Sequence, residues 1–285
     1  MVKKILAYSY IYFILLLMYV PILVLIVFSF TNATYIGTWN GLDFSLYAKL
    51  FQSEEIMVAL GNTIIIAIIS ALVATILGTL GAVGGFYSKK RSRAVLETVN
   101  QIPVVNAEIV MALSLVVMFV FIGNVIFRGA NLFSFWTLLA GHVVLSAPFV
   151  YLNVKPKLQQ MDPSLYEAAL DLGCSPSRAL RQAVLPEIIP GIVSGFMLAI
   201  TLSLDDFIIT AFTRGSGLLS GEGNIETLST LVQAKIKKGP IPAEMRPLTT
   251  IIFIVVLLVV LFISLRRNRT ISRSVLKRRR LRGRA

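Results

Sequence analysis

The sequence is poor in the residue types that metal binding and covalent catalysis require. It holds one cysteine, Cys174, and one histidine, His142, in 285 residues. A single cysteine allows no disulfide framework, and these two residues cannot supply the ligands of a zinc or haem site. A phosphate-cradling GxxxxGK[ST] motif is also missing, so any ATP would have to bind to another subunit. We therefore expect no catalytic residue, no metal and no cofactor in this chain, and an integral-membrane enzyme is disfavoured.

Charge is scarce as well, and long apolar runs take its place. Charged residues make up 14% of the chain and hydrophobic residues 56%, with a mean hydropathy of +0.81. A transmembrane helix needs about 20 mostly apolar residues, and six runs meet this requirement. They are approximately Ile5–Phe30, Val58–Phe86, Ile102–Phe127, Phe133–Val154, Ile188–Phe212 and Leu248–Leu265. The first run is longer than the roughly 7–15 apolar residues of a signal peptide, so we expect it to be retained. The fold class indicated is all-α integral membrane, with six transmembrane helices.

The positions of the basic residues predict the orientation of these spans. Seven of the 27 Lys and Arg residues lie in loops that follow odd-numbered spans, and the remainder lie in the termini and the other loops. Because basic residues are retained on the cytoplasmic side, both termini are expected to be cytoplasmic. We divide the chain into a transmembrane domain, residues 1–265, and a basic cytoplasmic tail, residues 266–285. The tail either stays solvated or contacts anionic membrane lipid. It lacks the motifs of nucleic-acid binding.

Two outer loops have helical character. Phe44 to Phe51 is typical of a short amphipathic segment at the membrane surface, and Ile225 to Lys237 has helical spacing between glycine-rich and Gly-Pro stretches. The second segment is either a surface for an external partner or an interfacial helix that packs on the bundle.

A polar loop, about residues 155–187, separates the fourth and fifth spans. Asp162 and Pro163 can begin a helix there, and Gly173 can adopt the left-handed conformation that ends it. Ser175 and Pro176 can start a second helix, which Pro186 ends or bends. The apolar positions of the first helix share one face: Leu165, Ala168, Ala169 and Leu172. Such a helical pair presents an apolar ridge to a groove on a partner.

The fifth span carries two adjacent acids. Charged groups near the bilayer centre are costly, so Asp205 and Asp206 are either functional, as part of a cation pathway, or caps of neighbouring helix ends. A face of small residues on the same helix allows close approach of another helix. Its members are Gly191, Gly195 and Ala199, with Ser203 beside them. We expect this face, together with the Gly81–Gly85 face of the second span, to pack against a partner subunit or a shared pathway.

Two other titratable residues lie in apolar runs. Glu108 is expected about a turn and a half into the third span, either as a cation station or paired with Arg91 or Arg93. His142 is interpreted as a neutral packing residue in the fourth span, near Ser146.

The cytoplasmic loop resembles the EAA loop of ABC importer permeases. In that pattern E-A-A is followed after three residues by G, and after nine more by I-x-L-P. The matching residues are Glu167, Ala168, Ala169, Gly173, Leu185 and Pro186, with Ala183 where Ile is usual. The resemblance implies a type I importer permease fold, in which this loop couples to a cytoplasmic ATPase dimer that binds ATP and Mg. It also implies a second permease subunit, an extracellular or periplasmic binding protein, and a bacterial cell membrane. Glu167 would pair either with the ATPase or, as we favour, with Arg178 or Arg181.

The fifth span resembles, more narrowly, the permeases of spermidine/putrescine importers. The Ser-x-Asp-Asp group of that subfamily matches Ser203, Asp205 and Asp206, and its third-span acid, commonly Asp, matches Glu108. An aromatic position in the first outer loop of that subfamily is Leu46 here, with Tyr47 beside it. The resemblance implies polyamine passage along Glu108, Ser203, Asp205, Asp206 and Tyr47. The alternatives are another cargo for the same machine, such as a different organic cation or a ferric-type ligand, and an ATPase-independent secondary cation transporter. The inverted repeat typical of secondary transporters is not found.

Overall fold

The regular structure of the protein is helical throughout the part that the structure describes. The computed structural model describes residues 2–33, 38–215, 225–238, 243–255 and 257–258. Its helices are α1 (Val2–Phe28), α2 (Ser45–Gln52), α3 (Glu54–Tyr87), α4 (Lys90–Val105), α5 (Glu108–Val125), α6 (Phe135–Gln160), α7 (Ser164–Asp171), α8 (Pro176–Ala179), a π-helical turn (Leu180–Val184), α9 (Leu185–Asp205), α10 (Ile208–Thr213), α11 (Leu228–Lys238) and α12 (Met245–Val255). The chain forms two compact units, residues 55–234 and residues 1–54 with 235–285.

Five helical segments in the described ranges are long and apolar enough to cross a membrane. They are Tyr8–Phe28, Glu54–Tyr87, Glu108–Val125, Phe135–Gln160 and Pro176–Asp205. The sixth expected span begins in the shorter apolar helix α12, and most of its remaining residues lie outside the described ranges, as does the basic tail. The structure therefore confirms an all-helical, multi-span architecture with five of the expected spans.

Two of the expected spans are interrupted, contrary to the sequence-based prediction. The third run divides between α4 and α5, because Asn106 and Ala107 take extended backbone conformations with ψ of 146° and 138°. The fifth run divides between α9 and α10, because Asp206 is extended with ψ of 125°. In both places an acid lies beside the start of the next helix, where the partial positive charge of the helix favours it.

The core of the larger unit forms where α6 packs along α9. Small residues make this contact possible: a Cβ atom added to Gly191 would lie 2.8 Å from the Asn153 carbonyl oxygen of α6, and one added to Gly195 would lie 3.1 Å from Val150 Cα. Ala199 is completely buried in the same core. The small-residue face is thus used within the chain, and the prediction that it packs against a partner permease is wrong.

The glycine face of α3 is only partly enclosed. Added Cβ atoms at Gly81 and Gly85 would lie in ordinary contact with Tyr151 of α6, at 3.7 and 3.6 Å, whereas Gly84 has no atom within 4 Å. This face therefore also contacts the chain's own α6, although Gly84 remains open.

An ion-pair cluster joins α4 to α6. Glu97 accepts from Arg93 Nε at 3.0 Å and from Lys155 Nζ at 2.9 Å. The pKa of Glu97 is lowered, mainly by the hydrogen bond from Lys155 and then by that from Arg93. Arg93 is therefore engaged with Glu97 rather than with Glu108.

The smaller unit is organised around the junction of α1 and α2. The Tyr47 ring stacks on Phe30 with centroids 5.5 Å apart, and its hydroxyl lies 2.9 Å from Ser29 Oγ. Asp43 begins α2 by accepting hydrogen bonds from the Ser45 amide at 2.7 Å and hydroxyl at 2.8 Å. The short amphipathic helix predicted for this loop is confirmed.

Candidate functional site: a helix break with two acids, and an exposed helical loop

The break between α9 and α10 is stabilised by the side chain of Asp206. Its carboxylate accepts hydrogen bonds from the amide groups of Ile209 at 3.2 Å and Thr210 at 2.8 Å, and from the Thr210 hydroxyl at 2.9 Å. These amides belong to the first turn of α10, which has no intrahelical acceptors for them. Asp206 is only 7% exposed. The capping interpretation of this acid is therefore the one that the structure supports.

Asp205 lies in a different environment, although it is the adjacent residue. It lines a cleft of about 350 Å³ between the end of α9 and α11. The other lining residues are Leu204, Phe207, Leu228, Ser229, Val232 and Gln233. Four of these six residues are apolar, and Asp205 gives the lining a negative charge. The cleft can therefore accept a partly apolar ligand with a positive charge.

A buried polar network connects three helices beside the break. Ser70 Oγ of α3 donates to Ser203 Oγ of α9 at 3.1 Å, and Ser203 Oγ lies 2.7 Å from His142 Nδ1 of α6. His142 Nε2 lies 3.0 Å from Thr210 Oγ1, which donates to Asp206. His142 is therefore a buried packing residue, as expected, but its hydrogen-bond partners are Ser203 and Thr210 rather than Ser146, and its Nε2 also lies 3.7 Å from the Asp206 carboxylate.

Helix α11 is held against the same break. The Ser229 hydroxyl donates to the Asp206 carbonyl oxygen at 2.6 Å, the Leu228 amide donates to Thr63 Oγ1 at 2.8 Å, and Asn62 Nδ2 donates to the Glu226 carbonyl oxygen at 3.0 Å. The helical spacing predicted this helix, which begins three residues later than expected. Its contacts support the alternative in which it packs on the bundle.

Two further residues predicted for the pathway, Ser203 and Glu108, do not line this cleft. Ser203 is 3% exposed and is enclosed by the polar network. Glu108 is an exposed residue in the first turn of α5, not a turn and a half into a longer span, because α5 begins there. Tyr47 lies in the smaller unit and contacts Ser29 and Phe30. Of the two adjacent acids, Asp205 is thus the one that lines the cleft.

The loop between α6 and α9 has the conformation that the sequence predicts. Asp162 Oδ1 accepts from the Ser164 amide at 3.0 Å, and this bond is the main reason that the pKa of Asp162 is lowered. Gly173 has a φ of +83° and ends α7, and Pro176 is in the first turn of α8. Pro186 does not end the helix. The wider π-helical turn before it, Leu180–Val184, accommodates the proline ring, and the chain continues into α9.

The first helix of this loop exposes its apolar residues. Leu165 is 39% exposed and Leu172 is 86% exposed, while Glu167 and Ala168 are also exposed. Within the part of the chain that the structure describes, Glu167 forms no ion pair with Arg178 or Arg181, so the favoured intrachain pairing is not observed. On the opposite side of α7, the Tyr166 ring lies 5.0 Å from that of Tyr87 at the end of α3. The loop is therefore attached on one side and open on the other.

Several residues of the site carry no signal that sequence reasoning could use. Ser70 and Thr210 are ordinary polar residues in apolar helices, and only the packing of α3, α6 and α9 brings them to His142. Ser229 and Gln233 lie on the predicted helix α11, but their position beside Asp205 depends on tertiary contacts.

Comparison with known proteins decides the family. Residues 74–276 match the family described as binding-protein-dependent transport system inner membrane component. The chain belongs to this family. It is 31% identical over 244 residues to the spermidine/putrescine transport system permease protein PotC of Escherichia coli (strain K12), covering 86% of this chain and 87% of that protein. It is 33% identical over 239 residues to the putrescine transport system permease protein PotI of the same strain, covering 82% and 81%.

Solved structures share the fold. A bacterial ABC transporter involved in the import of the acidic polysaccharide alginate superposes with a TM-score of 0.70 at 20% identity, covering 92% of each chain. The same transporter type in complex with an alginate pentasaccharide-bound periplasmic protein gives a TM-score of 0.70, with 92% and 91% covered. Membership in the family and the permease relatives, rather than these structures, identify the protein as a multi-pass permease of a bacterial ABC importer, a transport component rather than an enzyme. Since the alginate transporter carries an acidic cargo, the fold alone does not determine the cargo.

Proposed function

We propose that this chain is a transmembrane permease subunit of an ATP-driven importer for polyamines such as spermidine and putrescine. The observation that carries the cargo class is the identity of 31–33% with PotC and PotI over more than four-fifths of this chain. The chain supplies half of the translocation pathway and pairs with a second permease subunit. A cytoplasmic ATPase dimer binds ATP and Mg, and an external binding protein delivers the cargo.

The chemistry of the cleft beside Asp205 supports a cationic cargo with an alkyl stem. Asp205 can accept hydrogen bonds from an ammonium group and compensate its charge, and Gln233 and Ser229 can accept further ones. The apolar residues Leu204, Phe207, Leu228 and Val232 form the rest of the lining, and the ring of Phe207 can attract a cation. A polyamine alternates ammonium groups with methylene segments, so it complements both kinds of lining.

The exposed helical loop supports coupling to a separate ATPase. Its outward face carries the large apolar side chains of Leu165 and Leu172, beside Glu167. Leu185 and Pro186 join the loop to α9, the helix that ends at the cleft. A force applied to the loop would therefore act on a helix that reaches Asp205. Glu167 would pair with a basic residue of the ATPase, since neither intrachain arginine occupies it.

The test is uptake by the reconstituted complex. The chain, its second permease, the ATPase and the binding protein are placed in proteoliposomes, and ATP-dependent uptake of labelled spermidine and putrescine is measured. We expect saturable uptake, and Asp205→Asn should raise KM about tenfold or more, because a hydrogen bond to a charged group is worth about 1.5–3 kcal/mol.

Glu187→Gln is the matched control, because Glu187 is an exposed acid at the opposite end of α9. It should leave KM unchanged. A complex that moves another organic cation or an anion, but neither polyamine, would refute the proposed cargo. Polyamine uptake without ATP would refute the coupling.

A further inference from the structure

Two neighbouring carboxylates at the helix break have unequal surroundings. Asp205 lines the cleft, whereas Asp206 is 7% exposed and its carboxylate accepts three hydrogen bonds from the first turn of α10. The backbone carbonyl of Asp206 also accepts from Ser229 of α11, at 2.6 Å. Both walls of the cleft, the end of α9 and helix α11, are therefore fixed at Asp206.

The buried network has a consistent direction of donation. The Thr210 hydroxyl donates to the Asp206 carboxylate, so it can only accept from His142. His142 must then carry its proton on Nε2, which leaves Nδ1 to accept from the Ser203 hydroxyl at 2.7 Å. Ser203 in turn accepts from Ser70. The hydroxyls of Ser203 and Thr210 thus each accept once and donate once, and the network ends on the Asp206 carboxylate.

We propose that His142 and Thr210 are positioning residues that hold Asp206 as the cap of α10, and thereby fix the turn from which Asp205 meets the cargo. In this arrangement Asp206 and Ser203 do not contact the cargo. The inference rests on the proposed function only in taking Asp205 as a cargo contact. It differs from the assignment by resemblance, in which Ser203, Asp205 and Asp206 all line the pathway.

The geometry explains why the capping residue affects binding rather than turnover. The cap and the Ser229 bond define where α9 stops and where α11 begins, and Asp205 is the last residue of α9. When the cap is lost, the carboxylate of Asp205 is no longer held toward Gln233 and Ser229. We therefore expect a higher KM with little change in the maximal rate.

A double-mutant cycle in the reconstituted complex tests this. Thr210→Val removes the hydroxyl while keeping the shape of the side chain, and should raise KM for the cargo at least about fivefold. Asp205→Asn should also raise KM. The double variant should be no worse than Asp205→Asn alone, because positioning has no effect once the charge is gone. Thr201→Val is the control: Thr201 is an exposed residue of α9 whose hydroxyl bonds only to its own helix, and KM should not change.

Conservative substitutions separate positioning from simple loss of folding. Thr210→Ser should restore most of the affinity, and Asp206→Asn, which still caps a helix, should raise KM less than Asp206→Leu. If the complex that carries Thr210→Val does not assemble, Ser203→Ala replaces it in the double-mutant cycle with Asp205→Asn, because Ser203 hydrogen-bonds to the other ring nitrogen of His142. The proposal would be overturned if the increases in KM caused by Thr210→Val and Asp205→Asn multiplied in the double variant. It would also be overturned if Asp206→Asn raised KM more than Asp205→Asn does. Failure of wild-type polyamine uptake would refute the proposed function instead, because the cycle can be measured with whichever cargo the complex moves.

Discussion

At the scale of single residues, glycines on two helices differ in what surrounds them. Gly191 approaches the backbone of α6 so closely that an added methyl group would lie 2.8 Å from the Asn153 carbonyl oxygen and 3.2 Å from Val154 Cα. Gly84 of α3 has no atom within 4 Å of the same position. The contact between α6 and α9 therefore depends on the absence of a side chain at Gly191.

Gly191→Ala should destabilise the protein, because backbone atoms of α6 must move to admit the methyl group. Overpacking of this kind costs about 1–3 kcal/mol, which lowers the Tm by several degrees. Thermal unfolding in detergent measures this effect. Gly84→Ala is the control and should leave the Tm unchanged or raise it, since alanine has the higher helix propensity. Equal Tm values for the two variants would contradict the tight contact at Gly191.

At the scale of elements, helix α7 has one attached side and one open side. Tyr166 contacts Tyr87 of α3, whereas Leu172 at the end of α7 is 86% exposed. An exposed leucine on a lipid-facing helix needs no explanation, but Leu172 precedes the turn at Gly173 in a polar loop. A partner that covers this ridge gains the free energy of burying it, about 1.5–3 kcal/mol for one leucine.

Leu172→Asp should weaken binding of the ATPase subunit at least tenfold, because the apolar contact is lost and a charge is desolvated in its place. Binding of the purified ATPase to the permease pair in nanodiscs measures this. Leu42→Asp is the matched control, since Leu42 is 75% exposed in the loop between α1 and α2. Undiminished ATPase binding by Leu172→Asp would show that α7 is not the docking helix.

At the scale of the whole molecule, the orientation proposed from the basic residues can be tested with the chain's own cysteine. Cys174 is a free, partly exposed thiol in the loop between α7 and α8. Helix α6 has 26 residues and extends for about 39 Å, enough to cross a bilayer whose apolar core is about 30 Å thick. The loop before α6 and the loop after it should therefore lie on opposite sides of the membrane.

A membrane-impermeant maleimide should label Cys174 in inside-out vesicles and fail to label it in right-side-out vesicles. A second chain with Cys174→Ser and Ala130→Cys carries its thiol in the exposed loop between α5 and α6, and should show the reverse pattern. Labelling of Cys174 from the outside would invert the proposed topology and remove the loop from the reach of a cytoplasmic ATPase.

The sequence by itself determined the membrane class, five of the spans and the helical loop after α6. These features depend on local properties: apolar length, the capping oxygen of Asp162 and the conformational freedom of Gly173, whose φ is +83°. Each can be recognised in a short window of residues, because the physical cause acts within that window.

Only the tertiary structure decided which of two adjacent acids lines the cleft and which face of α9 is buried. Helical periodicity treats Asp205 and Asp206 as neighbours on one continuous helix, yet the break at Asp206 turns one carboxylate inward and leaves the other on the cleft. The same periodicity identified a small-residue face but could not say that α6 of this chain would occupy it. Both outcomes depend on contacts between residues far apart in sequence, such as His142 with Thr210, and no local pattern records them.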